Sequence, residues 1–580
     1  MALLVSNRVR VDVVGLIVLS LISLLHLVPS TQLFLGFSST AAILIAGIFA
    51  LGEGLRQAGA TDMLAAWLER VGARGERPLL SMLLVMPPIP STFVSDVGLM
   101  AIFLPALLRL KRILAISVGR VLMPLAVSIA LGGLLSMIGS AGNIIGNSAL
   151  AQKGIAPLGL FAITPLGLVL VCAGILYMRT IGLRLLPSAT DEPEFVTDYA
   201  GVKAYLTDIR VRPDSPLIGQ ALADIAYFRQ HQVAVVRIVR QDRMVAMPGP
   251  HDVLAADDRL VVQGDREAVL ALSSTQGLEV VAEPGSARLR QGPSQVAEVL
   301  IPQGSVLSNQ SLAEMNFRGR YHLTVLAIWR QGRTTMTALP KMRIRSGDVM
   351  LLQGAAQDIG QLQMNDDVVV LTATERRQRP ASHEAYLAVG IMGAALLAAA
   401  LNVLALTVAV TLGVTVMVLT GLLTLPQAYR AIDWRIIVLI GGMTPLSLAL
   451  DRTGMTALLA RHLVSSLDGY GPLAVLAAFF WLSALLTQVI SNVATALVLS
   501  PLAISVAQGS HWSPYPLIIA MVVALSAAPI TPLANKVYLM AMGPGHYAYK
   551  DFFKLGIPLT VLMFCLSLVL IPIFFPFVPA

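Results

Sequence analysis

Two stretches decide the reading of this chain: STFVSDVGLMAIFLP at Ser91–Pro105 and TQVISNVATALVLSP at Thr487–Pro501. They align without a gap at an offset of 396, placing Ser95 on Ser491, Asp96 on Asn492 and Pro105 on Pro501. Each follows an apolar run, Leu79–Pro90 or Pro472–Ile490, and continues into a second short one, Val97–Leu108 or Val493–Leu502. Crossing a bilayer takes about 20 apolar residues. The paired short runs therefore read as hairpins that enter the membrane and turn back, with breaks at the aligned tips. A second pair of breaks follows, because Gly142-Asn143, closing the glycine-rich run from Ile138, aligns with Ala534-Asn535. Broken backbone at membrane depth is tolerated only where it is buried or lines a cavity.

The rest of the chain agrees with a membrane setting. Its 580 residues are 56% hydrophobic and only 13% charged, and the mean hydropathy is +0.75. A soluble protein of this size needs far more polar surface, so an ordinary soluble enzyme, a secreted disulfide scaffold and a disordered regulator are excluded. Further spans are expected at Val11–Val28, Ala41–Leu55, Val121–Met137, Phe161–Tyr177, Tyr386–Ala400, Val403–Leu422, Ile436–Leu450, Pro516–Ala528 and Ile557–Phe575. No signal-peptide cleavage pattern precedes the first, which reads as a retained span. The basic loop residues, among them Arg8, Arg10, Arg56, Arg109, Lys111, Arg112, Arg179 and Arg184, can all lie on one side. That side is expected to be cytoplasmic. Cys172 and Cys565 lie in apolar runs and the eight histidines are scattered; neither pattern suits a metal, redox or catalytic cluster. The basic balance belongs to loop arginines and implies no nucleic acid.

A soluble block interrupts the apolar sequence. Ser188–His383 carries 21 of the 41 basic and 22 of the 33 acidic residues. Following Arg179 and Arg184, it is expected on the cytoplasmic side. It contains two segments at an offset of 90, DSPLIGQALADIAYFRQHQVAVVRIVRQDR from Asp214 and GSVLSNQSLAEMNFRGRYHLTVLAIWRQGR from Gly304. Such a match reads as duplication. Each unit is expected to hold a short helix, an alternating strand ending in Arg240 or Arg330, a turn at Asp257-Asp258 or Gly347-Asp348, and a last strand. The units resemble RCK-C (TrkA-C) domains, small regulatory modules of potassium channels and transporters. Asp257 and Asn309 stand where that family has glycine. The resemblance implies pairing between protomers and a capacity to bind a small ligand. The expected division is 1–187 and 384–580 for the membrane halves, with RCK-C domains at 188–290 and 291–383.

The second half carries one extra leading span, so its equivalents of the first-half segments run the opposite way. Inverted repeats with breaks at matching positions point to a secondary transporter with a midplane site. On these hairpins, and on STQLFLGFSSTAAILIAGIFALGEGLRQAG from Ser30 and IDWRIIVLIGGMTPLSLALDRTG from Ile432, the chain resembles the divalent anion/sodium symporter family of the ion transporter superfamily. The subgroup is the one with two RCK-C domains. The fold class implied is an α-helical polytopic membrane protein with inverted repeats and re-entrant hairpins, plus two small α/β domains. The resemblance further implies a homodimer in the plasma (inner) membrane, elevator-type alternating access, and sulfate, dicarboxylates or citrate as substrates.

Helix N-termini exposed at a break attract anions. The substrate residues expected are Ser95, Asp96, Val97, Asn143, Ser491, Asn492, Val493, Asn535 and Lys536. Asn143 and Asn535 are expected to offer amide donors. The resemblance implies sodium at the tips, held by oxygens from Ser91, Ser95, Asp96, Gly139, Thr487, Asn492 and Thr531. The tips depart from the family's Ser-Asn-Thr, reading Ser95-Asp96-Val97 and Ser491-Asn492-Val493. The family also usually has an earlier span, for which MALLVSNRVR is too short. Three readings stand: a cation-coupled anion transporter, a cation/proton antiporter suggested by Asp96, and an RCK-gated channel. No resident cofactor is expected. Asp96 and Lys536 are the two charges placed at mid-membrane breaks, and the readings open for them are coupling roles at one shared cavity, a structural ion pair, or two residues that never meet.

Overall fold

The computed structural model describes residues 11–60, 75–114, 118–186, 206–222, 234–240, 243–246, 252–263, 277–280, 294–301, 305–330, 333–335, 339–362, 368–371, 383–456, 471–545 and 547–578, with isolated residues between. The chain divides into two compact units. Met1–Ala189 with Ala373–Ala580 forms one, and Thr190–Thr372 the other. The polar linkers Pro187–Thr190 and Arg379–Ser382 lie outside the described residues.

The first unit is helical. Its first half contains α1 (Val11–Leu24), α2 (Thr40–Gln57), α3 (Glu76–Val85), α4 (Asp96–Leu114), α5 (Val118–Gly132), α6 (Ala141–Gln152) and α7 (Thr164–Tyr177). Its second half contains α8 (His383–Ala400), α9 (Leu406–Leu419), α10 (Trp434–Arg452), α11 (Gly471–Leu486), α12 (Asn492–Gly509), α13 (Tyr515–Ala527), α14 (Lys536–Met542) and α15 (Tyr549–Phe574). Among the described residues, six helices are long and apolar enough to cross a membrane. Both hairpins differ in length from the expectation. Their second limbs, α4 and α12, run for 19 and 18 residues. At about 1.5 Å per residue that nearly matches a bilayer core. The helix of α12 continues through Pro501, which a membrane helix tolerates when its neighbours satisfy the freed carbonyl.

Packing between the halves is reciprocal. α1 lies on α10 and α2 on α9; α3 lies on α5 and α11 on α13. α5 packs with α7, and α13 with α15. Most telling for the site, α4 packs on α14 and α12 on α6. Each hairpin limb thus lies beside the broken helix of the other half. The centre is formed by α5 and α13, buried along almost their whole length. Tyr547 helps lock this centre. Its hydroxyl accepts from Met123 N at 2.9 Å and donates to the Gly119 carbonyl at 2.5 Å. A side chain has entered the helix ladder just before Pro124, a recognised cause of local bending.

The second unit contains two five-stranded antiparallel sheets. The strands are β1 (Leu206–Val211), β2 (Ala234–Arg240), β3 (Arg243–Ala246), β4 (Arg259–Gln263) and β5 (Leu278–Val280), then β6 (Ser294–Leu300), β7 (Thr324–Arg330), β8 (Arg333–Thr335), β9 (Val349–Ala355) and β10 (Val369–Val370). The orders are β3-β2-β4-β1-β5 and β8-β7-β9-β6-β10. Bulges fall at Val235/Arg237 in the first and Val325/Ala327 in the second. The leading strands β1 and β6 and the trailing strands β5 and β10 were not among the expected elements. They lie outside the aligned segments.

The arginine–aspartate pair shared by the two repeats of the insert is structural. Arg240 clamps Asp258 through two bonds of 2.7 Å, and Arg330 clamps Asp348 through bonds of 2.7 and 2.6 Å. Both carboxylates are fully buried and also accept a backbone N–H, from Ala255 and Arg345. These hydrogen bonds raise the pKa of each guanidinium above its ordinary value. Asp257 and Asn309, the two departures from glycine, have φ of 66° and 69°. Asp and Asn are the side chains that best tolerate the left-handed region, so glycine's conformation survives its loss.

Candidate functional site

Four helices start at breaks, and each starts with a polar cap. Ser95 Oγ accepts from Gly98 N at 3.2 Å and Ser491 Oγ from Ala494 N at 3.3 Å. Ser140 Oγ accepts from Asn143 N at 3.3 Å, and Asn535 Oδ1 from Val537 N at 3.2 Å. A capping serine spends its lone pair on the helix and keeps its O–H. The half-buried hydroxyls of Ser95 and Ser491 can therefore donate to an anion while still terminating α4 and α12. Val97 is exposed, whereas Val493 is buried.

Beneath each tip lies a set of oxygens. In the first half, Ser91 Oγ donates to the Ile129 carbonyl at 2.6 Å and lies 2.9 Å from Asp96 Oδ1. In the second, the Thr487 hydroxyl bonds Asn492 Oδ1, and Asn492 Nδ2 donates to the Leu525 carbonyl at 3.2 Å. Ser91 and Thr487, Asp96 and Asn492, and Ile129 and Leu525 are all related by the same offset. A hydroxyl, a carboxylate or amide oxygen and a carbonyl form a hard donor set, which suits a small cation. Gly139 sits tightly against the Gly133 carbonyl, where a Cβ would not fit. Thr531 N donates to Gln488 Oε1 at 2.8 Å.

The geometry corrects one expectation and decides among the readings of another. Asn143 does not offer its amide outward. Its Nδ2 donates to the Gly133 and Ser136 carbonyls at 2.8 and 2.9 Å, and its Oδ1 accepts from Ser140 Oγ at 2.7 Å. It is a fully buried brace, because the broken backbone around it exposes carbonyls that need donors. Nor do Asp96 and Lys536 form an ion pair. Lys536 Nζ lies 3.4 Å from Asp433 Oδ2, and Asp96 Oδ2 accepts from Asn535 Nδ2 at 3.4 Å. Adjacent residues on an extended cap point in different directions, so Asn535 faces the first hairpin and Lys536 faces away from it. Glu53 pairs one turn along with Arg56. His26 lies just past the end of α1 in a left-handed turn.

Several residues at the site had escaped the sequence reading. Gln488 Nε2 donates to the Ala484 and Ala528 carbonyls at 2.8 Å each, tying the second tip to the break before α14. Ser136 Oγ donates to the Thr92 carbonyl at 2.8 Å, tying the first tip to the break before α6. The Tyr538 hydroxyl is buried without a hydrogen-bond partner among the described residues. The signal available for Gln488 was its place in the aligned tip. Ser136 and Tyr538 carried none.

Hairpins packed on capped, broken helices of the opposite half define a polytopic helical membrane transporter. The profile of the citrate transporter family matches residues 1–524. The chain belongs to that family, and it is a transporter rather than an enzyme. The uncharacterised transporter sll0640 of Synechocystis sp. is 31% identical, covering 97% of this chain and 93% of the relative. The uncharacterised transporter YfbS of Escherichia coli is also 31% identical, covering 99% and 97%. Sodium/sulfate cotransporter 1 of Chlamydomonas reinhardtii is 24% identical over 53% of this chain and 36% of its own length. A crystal structure of the GsuK RCK domain matches 28% of this chain and 63% of its own, at 10% identity and a TM-score of 0.15, a likeness too slight to argue from.

Proposed function

We propose that this protein is a secondary active transporter of a small anion of the sulfate or di/tricarboxylate class, coupled to a cation. The observation that carries this is the pairing of a serine-capped hairpin tip with a hard oxygen set directly beneath it, once in each half. The capped helix starts favour an anion, and the oxygens favour a cation beside it. The citrate transporter family and the sodium/sulfate cotransporters among the relatives support the anion class. Alternating access proceeds by an elevator motion of the hairpin-bearing helices, in a homodimer in the plasma (inner) membrane. The inverted relation of the halves underlies the reciprocal packing, and Ser95, Asp96, Val97, Ser491, Asn492, Val493, Asn535 and Lys536 surround the anion. Ser91, Ser95, Asp96, Gly139, Thr487, Asn492 and Thr531 supply the cation's oxygens. The insert, read as a tandem pair of cytoplasmic RCK-C domains, regulates and does not translocate. Its strand order, identical in the two sheets, supports duplication.

Counterflow in proteoliposomes tests this reading. Labelled sulfate, citrate or succinate should exchange against its unlabelled form, and an inward sodium or proton gradient should drive net uptake. Failure of all three anions to exchange would remove the anion reading. A second reading, cation/proton antiport, is favoured by the carboxylate of Asp96 where the other half has Asn492. It predicts sodium-driven proton movement without any anion, lost in Asp96→Asn.

A further inference from the structure

The Lys536–Asp433 contact joins two sets of helices. Lys536 opens α14, which packs on α4 and α5, whereas Asp433 caps α10, which packs on α1, α2 and the hairpin limb α12. The partnership is unequal. Asp433 also accepts from Arg435 Nε at 2.9 Å and from Arg435 N at 3.2 Å. It therefore stays charge-balanced and keeps its capping role if the lysine leaves. Asp433 is the carboxylate paired with Lys536 among the described residues. The Lys536 side chain is 41% exposed and the contact is 3.4 Å long, the marks of a weak, exchangeable pair. The neighbouring Asn535 reaches Asp96 on the hairpin tip, so the backbone of Lys536 stands beside the proposed anion site while its ammonium is held elsewhere.

We infer that Asp433 is a positioning residue that competes within the molecule for the Lys536 ammonium, holding it until an anionic substrate displaces the carboxylate. This rests on the anion-transport reading above. Exchange of one oxyanion for another strands no charge, because Arg435 remains on Asp433. The arrangement also selects. An anion that takes the lysine must outbid a carboxylate already in place, which favours sulfate and multivalent carboxylates over a monovalent ion such as chloride.

Asp433→Asn keeps the cap, since asparagine caps a helix as well as aspartate does. In proteoliposomes, its KM for sulfate or citrate counterflow should fall roughly two- to fivefold, the size expected when one weak ion pair is removed. Asp433→Glu should restore the wild-type value. In a Lys536→Gln background the same Asp433→Asn change should have no effect on KM. An unchanged or raised KM in Asp433→Asn, or an equal fall with and without Lys536, would overturn the inference. Amine acetylation of the purified protein, read at Lys536 by mass spectrometry, gives an arm that needs no transport. Labelling should be faster in Asp433→Asn than in wild type; equal rates would also overturn the inference. A wild-type protein that exchanges no anion would remove the transport reading and the competitor's role with it, while the labelling still reports whether Asp433 holds the lysine.

Discussion

At the scale of single residues, the tips do two jobs with one atom. The oxygens of Ser95 and Ser491 accept helix N–H groups, and their protons remain for a ligand. Losing the cap alone costs about 0.5–2 kcal/mol, small enough for the protein to fold. Losing a hydrogen bond to a charged ligand costs about 1.5–3 kcal/mol, or roughly ten- to a hundredfold in affinity. Ser95→Ala and Ser491→Ala should therefore weaken anion uptake by about that factor, with a thermal unfolding profile close to wild type. Ser→Thr at either site, which keeps the hydroxyl, should retain most uptake. Wild-type uptake in both alanine variants would mean that the serines only cap.

At the scale of elements, close approach of helices to the breaks sets their shape. Gly167 on α7 lies against the Leu134 carbonyl, and Gly556 on α15 lies against the Pro529 carbonyl. In both places an added Cβ would overlap backbone, which cannot rotate away as a side chain can. Gly167→Ala and Gly556→Ala should each shift a break and lower the melting temperature by several degrees. The expected destabilisation is about 1–3 kcal/mol, typical of overpacking. Anion uptake should fall further than stability does, because the breaks carry the caps. Gly52→Ala on α2, where nothing stands within 4 Å, is the control and should behave as wild type. The helix α10 shows the same principle with charge. Asp433 at its start meets Lys536, and Asp451 at its end meets Lys153 just beyond α6. Both lysines lie at an end of a helix that follows a break, Lys536 at the start of α14 and Lys153 at the C-cap of α6.

At the scale of the whole molecule, each unit has its own core. Two apolar clusters, around Ile209, Ile238 and Leu260 and around Val299, Ile328 and Met350, stabilise the two sheets of the insert. The membrane helices form the other unit. Removing 194–378 and bridging the ends should therefore leave a membrane unit that still binds sulfate or citrate, with altered control of the rate. Binding measured by calorimetry on the detergent-purified deletion would check this. Loss of binding in a variant that stays folded would assign part of the site to the insert.

Local composition determined much of this protein. Runs of apolar residues must become helices in a bilayer, because no other arrangement satisfies every backbone group within one segment. The apolar runs Val11–Val28, Ala41–Leu55 and Tyr386–Ala400 accordingly appear as the helices Val11–Leu24, Thr40–Gln57 and His383–Ala400, the last of them long and apolar enough to cross a membrane. The polar interruptions at Ser95, Ser140, Ser491 and Asn535 were legible for the same reason, since a serine or asparagine before an apolar run is a helix start. Partner choice was not legible. Asp433 and Lys536 are 103 positions apart, Asn535 and Asp96 are 439 apart, and no local pattern links them. That Asn143 points inward, that Lys536 turns from Asp96 to Asp433, and that Gln488 ties a tip to a distant break were decided only when the halves packed. Broken backbone left carbonyls needing donors, and the nearest available side chains in three dimensions supplied them.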